Sequence, residues 1–333
     1  MKIFKKIFSI SLRIGISVTL LIFLFKFNKI DIPRLLKSMK DADKPLLLSA
    51  FIIFYFGYHF CLLRWEMLLK GAKIHLPLKR IIMSFAGGIF FSLFLPSTIG
   101  GDVIRTIDLA THTKRPREIM ATVLLDRLSG YVGLVLVALI AILVGWGFIQ
   151  YKIVLVYIGI LTAILIVLLL VLFNGFLYFK INQILDSPTA GKIREFIRSL
   201  HHEMYVFRHH KNIIIDNLIL SICIQIISPI VFYLTALSLG VEINVVYFFV
   251  FLPIIGAVTL LPISIGGLGV RDALTIFFFA KAGVNKDLAL AISLLNFFFI
   301  LFYAGVGGLI YVLTVHHRRL QYHKAPSIHS PHH

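Results

Sequence analysis

Long apolar runs dominate the chain and alternate with short polar segments. A transmembrane helix needs about 20 consecutive, mostly apolar residues to cross the hydrocarbon core of a bilayer. Six runs approach or exceed this length, and we interpret each as a full crossing: 8–25, 46–63, 120–148, 152–179, 213–239 and 288–315. The pattern therefore predicts an all-α polytopic membrane protein.

Two further apolar runs, 81–95 and 246–261, end in segments rich in proline and glycine. Shorter apolar stretches follow them at 103–111 and 268–280. Neither combination fits one straight helix, but each fits a broken pair of half-helices that enters the membrane and returns to the same side. Such re-entrant pairs are permitted where protein or water covers the freed backbone groups. The expected fold is thus six transmembrane helices plus two re-entrant pairs.

Composition supports this interpretation and excludes several function classes. Of the 333 residues, 59% are hydrophobic and only 14% are charged, compared with about 25% charged in a typical soluble domain. No stretch is polar enough to form a separate soluble catalytic domain. The net charge of +18 is better explained by basic residues that flank membrane spans than by nucleic-acid binding.

The basic residues indicate how the chain is oriented. If the N-terminus is cytoplasmic, 22 basic residues lie in cytoplasmic segments and nine lie outside. Positively charged loops prefer the cytoplasmic side, so we expect a protein of the cytoplasmic (inner) membrane with both termini in the cytoplasm. The segment 26–45 is an exception, because it places six basic residues outside.

The two interrupted regions contain related motifs. The sequence LPSTIGGDVIR at 95–105 matches LPISIGGLGVR at 261–271 in six of eleven positions, at an offset of 166 residues. With the orientation above, the first re-entrant pair enters from the cytoplasm and the second from outside. We therefore predict two inverted repeats, 1–150 and 151–316. The second includes an amphipathic segment at 189–212, and a basic cytoplasmic tail follows at 317–333.

The motif residues suggest both an architectural and a binding role. Each proline ends a half-helix, and each glycine pair permits a tight turn. Each arginine falls in the first turns of the next half-helix, where free backbone amides attract anions. We select Arg105 and Arg271 as ligands for a lipid phosphate or head group, although each arginine also fits a role in capping carbonyls or reaching the interface. The predicted re-entrant turns comprise Pro96, Gly100, Gly101, Pro262, Gly266 and Gly267.

Four further ionisable residues lie at or near membrane depth, where such groups are candidates for function. Asp102, Asp126, Arg127 and Asp272 are assigned to the substrate site, as proton carriers or as partners that balance the arginine charges. Asp102 also fits an N-cap, and Asp126 with Arg127 also fits an ion pair that locks packing. Single polar residues such as Gln225 and Asn296 are interpreted as interhelical hydrogen-bond partners. No HExxH or Walker A pattern occurs, so we expect neither a metal nor another cofactor.

Three segments together resemble a known family. LPSTIGGDVIR, VLLDRLSGYVGL at 123–134 and LPISIGGLGVR are similar to the paired motifs of the lysylphosphatidylglycerol synthetase transmembrane region, or flippase-like domain, family. In that family the membrane region resembles a lipid flippase, whereas aminoacyl transfer belongs to a separate soluble domain that this chain does not contain. The resemblance implies transport and not synthesis.

Three functions remain open at this point. The first is a lipid translocase that moves an anionic, aminoacylated or polyprenyl-linked lipid between leaflets without being an enzyme. The second is a membrane-embedded lipid or glycan transferase, and the third is an accessory scaffold for an envelope-lipid enzyme. The expected partners are membrane lipids and lipid- or glycan-synthesis enzymes, not nucleic acids, and the sequence leaves the oligomeric state open.

Overall fold

The protein is helical throughout the part of the chain that the computed structural model describes. The described residues are 30–95, 99–147, 152–176, 192–207, 210–259 and 267–324, with the single residues 15, 19, 26, 180 and 183. Within these ranges there are eleven helices and no strands, which confirms the predicted all-α class. The helices are α1 (Ile32–Asp41), α2 (Lys44–Gly71), α3 (Leu78–Ser92), α4 (Ile99–Thr113), α5 (Pro116–Val144), α6 (Lys152–Phe173), α7 (Lys192–Val206), α8 (Lys211–Ser238), α9 (Val246–Thr259), α10 (Val270–Lys281) and α11 (Lys286–Lys324).

Five of the described helices are long and apolar enough to cross a membrane: α2, α5, α6, α8 and α11. They correspond to the five predicted crossings that begin at residue 46 and later. The first predicted crossing, 8–25, lies outside the described residues except for positions 15 and 19. Helix α11 continues to Lys324, so the start of the predicted tail at 317–333 is helical. Helix α7 falls within the predicted amphipathic segment 189–212.

The two interrupted regions each form a pair of short helices. Helices α3 and α4 have 15 residues each, and α9 and α10 have 14 and 12. At 1.5 Å per residue these helices are about 18–23 Å long, shorter than the roughly 30 Å hydrocarbon core. We call α3 with α4 hairpin 1, and α9 with α10 hairpin 2.

In each pair, residue numbers rise along one helix while those of their contact partners fall along the other. In hairpin 1 the Ser84 hydroxyl donates to the Arg105 carbonyl at 3.2 Å, and Arg80 pairs with Asp108 nearer the base. In hairpin 2 the rings of Phe248 and Phe279 lie 4.8 Å apart near the base, and those of Phe251 and Phe278 lie 5.2 Å apart further in. Both pairs are therefore antiparallel, as a re-entrant structure requires.

The connecting turns, 96–98 and 260–266, lie outside the described residues, and with them Pro96, Pro262 and Gly266. Gly100 and Gly101 lie in the first turn of α4 and not in the turn itself. A Cβ at Gly101 would collide with the backbone oxygen of Gly88 and lie 2.9 Å from the Ser92 Cβ. Gly101 thus lets α3 and α4 approach closely. Gly267 precedes α10 with a φ of +78°, a conformation that favours glycine.

The helices place their loops at two ends of the molecule. At one end, the Asp43 amide donates to the Ser238 carbonyl and the Asp31 amide to Asp287. We call this the α1 end. At the other end, the Arg115 side chain donates to the carbonyl of Lys73; since α7 packs nearby, we call this the α7 end.

Hairpin 1 starts and finishes at the α7 end, and hairpin 2 starts and finishes at the α1 end. The two hairpins therefore extend into the molecule from opposite ends, as expected for re-entrant pairs in inverted halves. Which end faces the cytoplasm, and the division of the chain at residue 150, stay predictions. The outer surface is strongly apolar, with Leu143 and Val144 each 74% exposed, as suits a surface covered by lipid.

Candidate functional site

Three arginines and two aspartates form one connected ion-pair network, which we call the arginine cluster. Asp126 accepts from Arg64 Nε at 2.7 Å through Oδ1, and from Arg105 Nη2 at 2.8 Å through Oδ2. Asp102 lies 3.0 Å from the same Arg105 nitrogen and accepts from Arg127 Nε at 2.6 Å. If all five groups are ionised, the cluster carries a net charge of +1.

The cluster joins three helices. Arg64 lies on α2, Asp102 and Arg105 lie on α4, and Asp126 and Arg127 lie on α5. Neighbouring residues on a helix do not face each other, so the two carboxylate oxygens of Asp126 bind Arg64 and Arg105 while Arg127 reaches Asp102. The adjacent pair that the sequence suggested is therefore replaced by pairs between helices. Asp102 is the fourth residue of α4, beyond the N-cap position.

Arg64 is a site residue that the sequence interpretation missed. It follows the predicted crossing 46–63 directly, where the sequence predicts the end of the membrane span, but it lies inside α2 with its side chain only 8% exposed. Its Nη1 also donates to the Ser221 hydroxyl at 3.1 Å. The only sequence signal is an arginine beside an apolar run, which is also the usual sign of an interface.

Aromatic rings cover one side of the cluster. The Arg105 guanidinium lies 4.6 Å from the centre of the Trp65 ring and 5.9 Å from that of Phe85. Cation–π contacts of this kind stabilise a charge where water is scarce. The rings hold the Arg105 guanidinium in place while leaving its Nε without a hydrogen-bond partner.

The arginine cluster lines a cavity of about 250 Å³, the first cavity, which lies between hairpin 1, α2 and α5. Arg105 lines this cavity, and its buried Nε has no hydrogen-bond partner. A buried donor without a partner is unfavourable by about 1–3 kcal/mol. An anionic oxygen placed in the cavity would satisfy this donor and balance the net positive charge.

Hairpin 2 holds its arginine differently. Arg271 Nη2 pairs with Asp272 Oδ1 at 2.9 Å, and its Nε donates to the Ser293 hydroxyl at 3.1 Å. The Gly269 amide at the start of α10 donates to Asp272 Oδ2 at 2.9 Å. The backbone amide that was expected to attract an external anion is thus bound by the chain's own carboxylate, and the Arg271–Asp272 pair is neutral.

The two motif arginines are equivalent in sequence but not in their surroundings. Both lie over an aromatic ring, since Arg271 is 4.9 Å from the centre of Phe297. The residues 166 positions after Asp102 and Asp126, however, are Leu268 and Ile292. At these two aligned positions the second half therefore carries no carboxylate to match those that bind several arginines at once.

Arg271 lines a second cavity of about 280 Å³ together with Asn296, Thr259 and mostly apolar residues. The first and second cavities share Tyr58 and Cys61 in their walls, so they adjoin near the centre of the protein. A third cavity of about 300 Å³ shares residues with both. We refer to the three together as the central cavity.

The other predicted site features are placed as follows. Gln225 donates to the Gly130 carbonyl at 3.0 Å, and Asn296 donates to the Ile292 carbonyl at 2.8 Å. Only Gln225 links two helices, because the Asn296 bond stays within α11. Among the described residues, no group of three or more His, Cys, Asp or Glu side chains is arranged to hold a metal ion.

Comparison with known proteins identifies the family. A family model described as the lysylphosphatidylglycerol synthase TM region matches residues 10–307. The UPF0104 membrane protein PH1989 of Pyrococcus horikoshii is 25% identical over 307 residues, which cover 86% of this chain and 91% of that protein. A UPF0104 membrane protein of Methanothermobacter thermautotrophicus is 23% identical over 288 residues, covering 78% and 82% of the two chains. Since the family model spans most of the sequence, this protein belongs to the lysylphosphatidylglycerol synthase TM region family.

Proposed function

We propose that this protein is a flippase-like lipid translocase that moves a lipid with an anionic phosphate head group between membrane leaflets. The observation that carries the proposal is the arginine cluster, which has a net positive charge and in which Arg105, lining the first cavity, has an unpartnered Nε. A buried charge in a membrane protein is unfavourable unless an opposite charge pairs with it. An excess cation at this depth is therefore explained by an anionic ligand.

The arrangement of the hairpins favours transport over simple binding. Hairpins 1 and 2 extend from opposite ends and border adjoining cavities that share Tyr58 and Cys61. In transporters with inverted repeats, each half controls access from one side to a shared site. We propose that hairpin 1 controls the α7 end and hairpin 2 controls the α1 end.

An apolar cavity beside the cluster offers space for a lipid tail. It has a volume of about 370 Å³ and is lined mainly by leucine and phenylalanine side chains of the bundle. Asn217 lines this cavity and donates to the carbonyl of Arg64 at 3.0 Å. The apolar cavity thus adjoins the backbone that carries one arginine of the cluster, so a head group and part of its tail fit on neighbouring surfaces.

The proposal includes the cellular setting. We place the protein in the cytoplasmic membrane with both termini in the cytoplasm, because that orientation puts most basic residues inside. In this view the chain moves lipid without making it, so the enzymes that synthesise the lipid or its glycan are natural partners. Asp102, Asp126 and Asp272 balance the arginines and are the groups available to carry protons.

Reconstitution tests the proposal directly. Purified protein is placed in liposomes with reporter forms of phosphatidylglycerol, lysylphosphatidylglycerol and a polyprenyl phosphate, and the lipid on each leaflet is measured over time. We expect faster exchange than in protein-free liposomes for at least one anionic lipid. Chemical conversion of a lipid without movement would favour the transferase, and neither movement nor conversion would favour the scaffold. A surface variant, Arg117→Gln, serves as the control for reconstitution efficiency.

A further inference from the structure

Asn296 presents a buried hydrogen-bond acceptor without a partner. The residue is 3% exposed and lines the second cavity. Its Nδ2 donates to the Ile292 carbonyl at 2.8 Å, and since a carbonyl can only accept, the amide nitrogen must face it. The remaining atom, Oδ1, has no hydrogen-bond partner. Buried acceptors in folded proteins usually have a partner, so this oxygen is available to accept a hydrogen bond from a ligand.

The unpartnered atoms in the two adjoining cavities are of opposite kinds. Arg105, which lines the first cavity, has an unpartnered donor at Nε, and Asn296, which lines the second, has an unpartnered acceptor at Oδ1. A ligand that fills both cavities must present an acceptor to Arg105 and a donor to Asn296. Phosphate oxygens supply the acceptor, and a hydroxyl or an ammonium group supplies the donor.

The charge of the second cavity decides between these two donors. Arg271 lines it, and none of the described residues in its wall is an aspartate or glutamate. Asp272, which balances Arg271, is fully buried beside it, and the arginine cluster next to it carries an excess positive charge. Even with the lipid phosphate neutralising the arginine cluster, an ammonium group in the second cavity would lose its hydration beside Arg271, with no carboxylate among the described wall residues to pair with. An uncharged hydroxyl carries a smaller penalty of this kind.

We propose that Asn296 forms a second head-group subsite, which accepts a hydrogen bond from an uncharged, hydroxyl-bearing group attached to the lipid phosphate. This inference rests on the proposed function and names its substrate class. The preferred head group is a phosphate linked to a polyol such as glycerol, inositol or a sugar. A head group whose glycerol carries an aminoacyl ester is disfavoured, because none of the described residues that line the second cavity offers a carboxylate to pair with its ammonium.

Equilibrium binding to lipids with identical tails tests the subsite. The purified full-length protein is titrated with phosphatidylmethanol, phosphatidylglycerol, phosphatidylinositol and lysylphosphatidylglycerol, which compete against a fluorescent phosphatidylglycerol. One hydrogen bond corresponds to about a 3- to 10-fold change in affinity. We expect the glycerol and inositol lipids to bind more tightly than phosphatidylmethanol by about this factor, and lysylphosphatidylglycerol to bind more weakly than phosphatidylglycerol.

Two variants assign the preference to Asn296. Asn296→Leu should lower the affinity for the glycerol and inositol lipids to that for phosphatidylmethanol. The affinity for phosphatidylmethanol itself should not change. Asn296→Asp adds a carboxylate and should bind lysylphosphatidylglycerol more tightly than the unaltered protein does. Asn296→Asp also keeps the test decisive if Asn296→Leu fails to fold.

Several results would overturn the subsite: a preference of the unaltered protein for lysylphosphatidylglycerol, equal affinity for all four lipids, no binding of any, or a uniform loss in Asn296→Leu. The result is separable from the proposed function. Translocation without a preference for hydroxyl-bearing lipids would support the proposed translocase and contradict the Asn296 subsite. Binding that depends on the hydroxyl, without translocation, would support the subsite and contradict the proposed translocase.

Discussion

Arg105 and Asp126 form a buried ion pair, with 2.8 Å between Nη2 and Oδ2, although they lie on different helices. The pair attaches hairpin 1 to α5, and because Asp126 also binds Arg64, one carboxylate connects three helices. The same carboxylate balances two of the arginines that line the first cavity. Folding and ligand binding therefore depend on the same group, and variants must be designed to separate the two effects.

The first prediction concerns Asp126. Asp126→Asn leaves Arg64 and Arg105 buried without this counter-charge, and breaking a buried ion pair in this way costs about 3–5 kcal/mol. Thermal unfolding in detergent should show a marked loss of stability. The control is Glu118→Gln at the α7 end, where the Arg115 partner is 40% exposed and a loss of about 1 kcal/mol or less is expected. Equal losses in the two variants would contradict a central role for Asp126.

The second prediction separates binding from packing at Arg105. Arg105→Lys keeps the charge but removes the Nε donor and the planar guanidinium, so we expect lipid translocation to fall about 10-fold or more in a protein that still folds. Arg80→Lys is a matched control, because Arg80 is a buried arginine of the same hairpin, paired with Asp108, that does not line the first cavity. Normal translocation by a stable Arg105→Lys protein would exclude the proposed phosphate contact.

The third prediction concerns the neutral pair in hairpin 2. Arg271→Met leaves Asp272 as a fully buried carboxylate without its cation, so a loss of about 3 kcal/mol or more is expected. Adding Asp272→Asn removes the unpaired charge and should restore most of the stability, since the amide can still accept from the Gly269 N–H. A double-mutant cycle by thermal unfolding measures this coupling. Additive losses would show that the two residues act independently.

The fourth prediction tests the close approach of α3 and α4. A Cβ at Gly101 would collide with the Gly88 backbone, so Gly101→Ala should destabilise the protein by about 1–3 kcal/mol. Gly305→Ala on α11 is the control, because a Cβ there meets nothing within 4 Å, and its stability should be unchanged or slightly higher. Tolerance of alanine at 101 would mean that hairpin 1 packs less tightly than described.

The fifth prediction is the orientation in the membrane. In a protein with Cys61 and Cys223 replaced by alanine, single cysteines at 37 and 283 should react with an impermeant reagent from outside the cell, and one at 73 should not. Residues 37 and 283 lie at the α1 end and 73 at the α7 end. Labelling of 73 alone would reverse the orientation, and labelling of only one of 37 and 283 would contradict the arrangement of the helices.

The sequence by itself determined the class, the crossings that begin at residue 46 and later, and the positions of both hairpins. These features follow from local properties, because the length of an apolar run matches the thickness of a bilayer and a Pro-Gly segment interrupts a helix wherever it occurs. The motif pair also led correctly to the family. The sequence also singled out Arg105 and Arg271; the structure places them in the walls of adjoining cavities, and their role as lipid ligands stays a prediction.

Only the tertiary structure decided which charges meet. Arg64 and Asp126 are 62 residues apart, and nothing local to either position indicates the other, because their contact depends on how α2 packs against α5. The same packing pairs Arg127 with Asp102 and not with its neighbour Asp126. It also leaves the first cavity positive and the Arg271–Asp272 pair neutral, an asymmetry that the two related motifs do not reveal. Electrostatic energy depends on distances in space, whereas a motif records only distances along the chain.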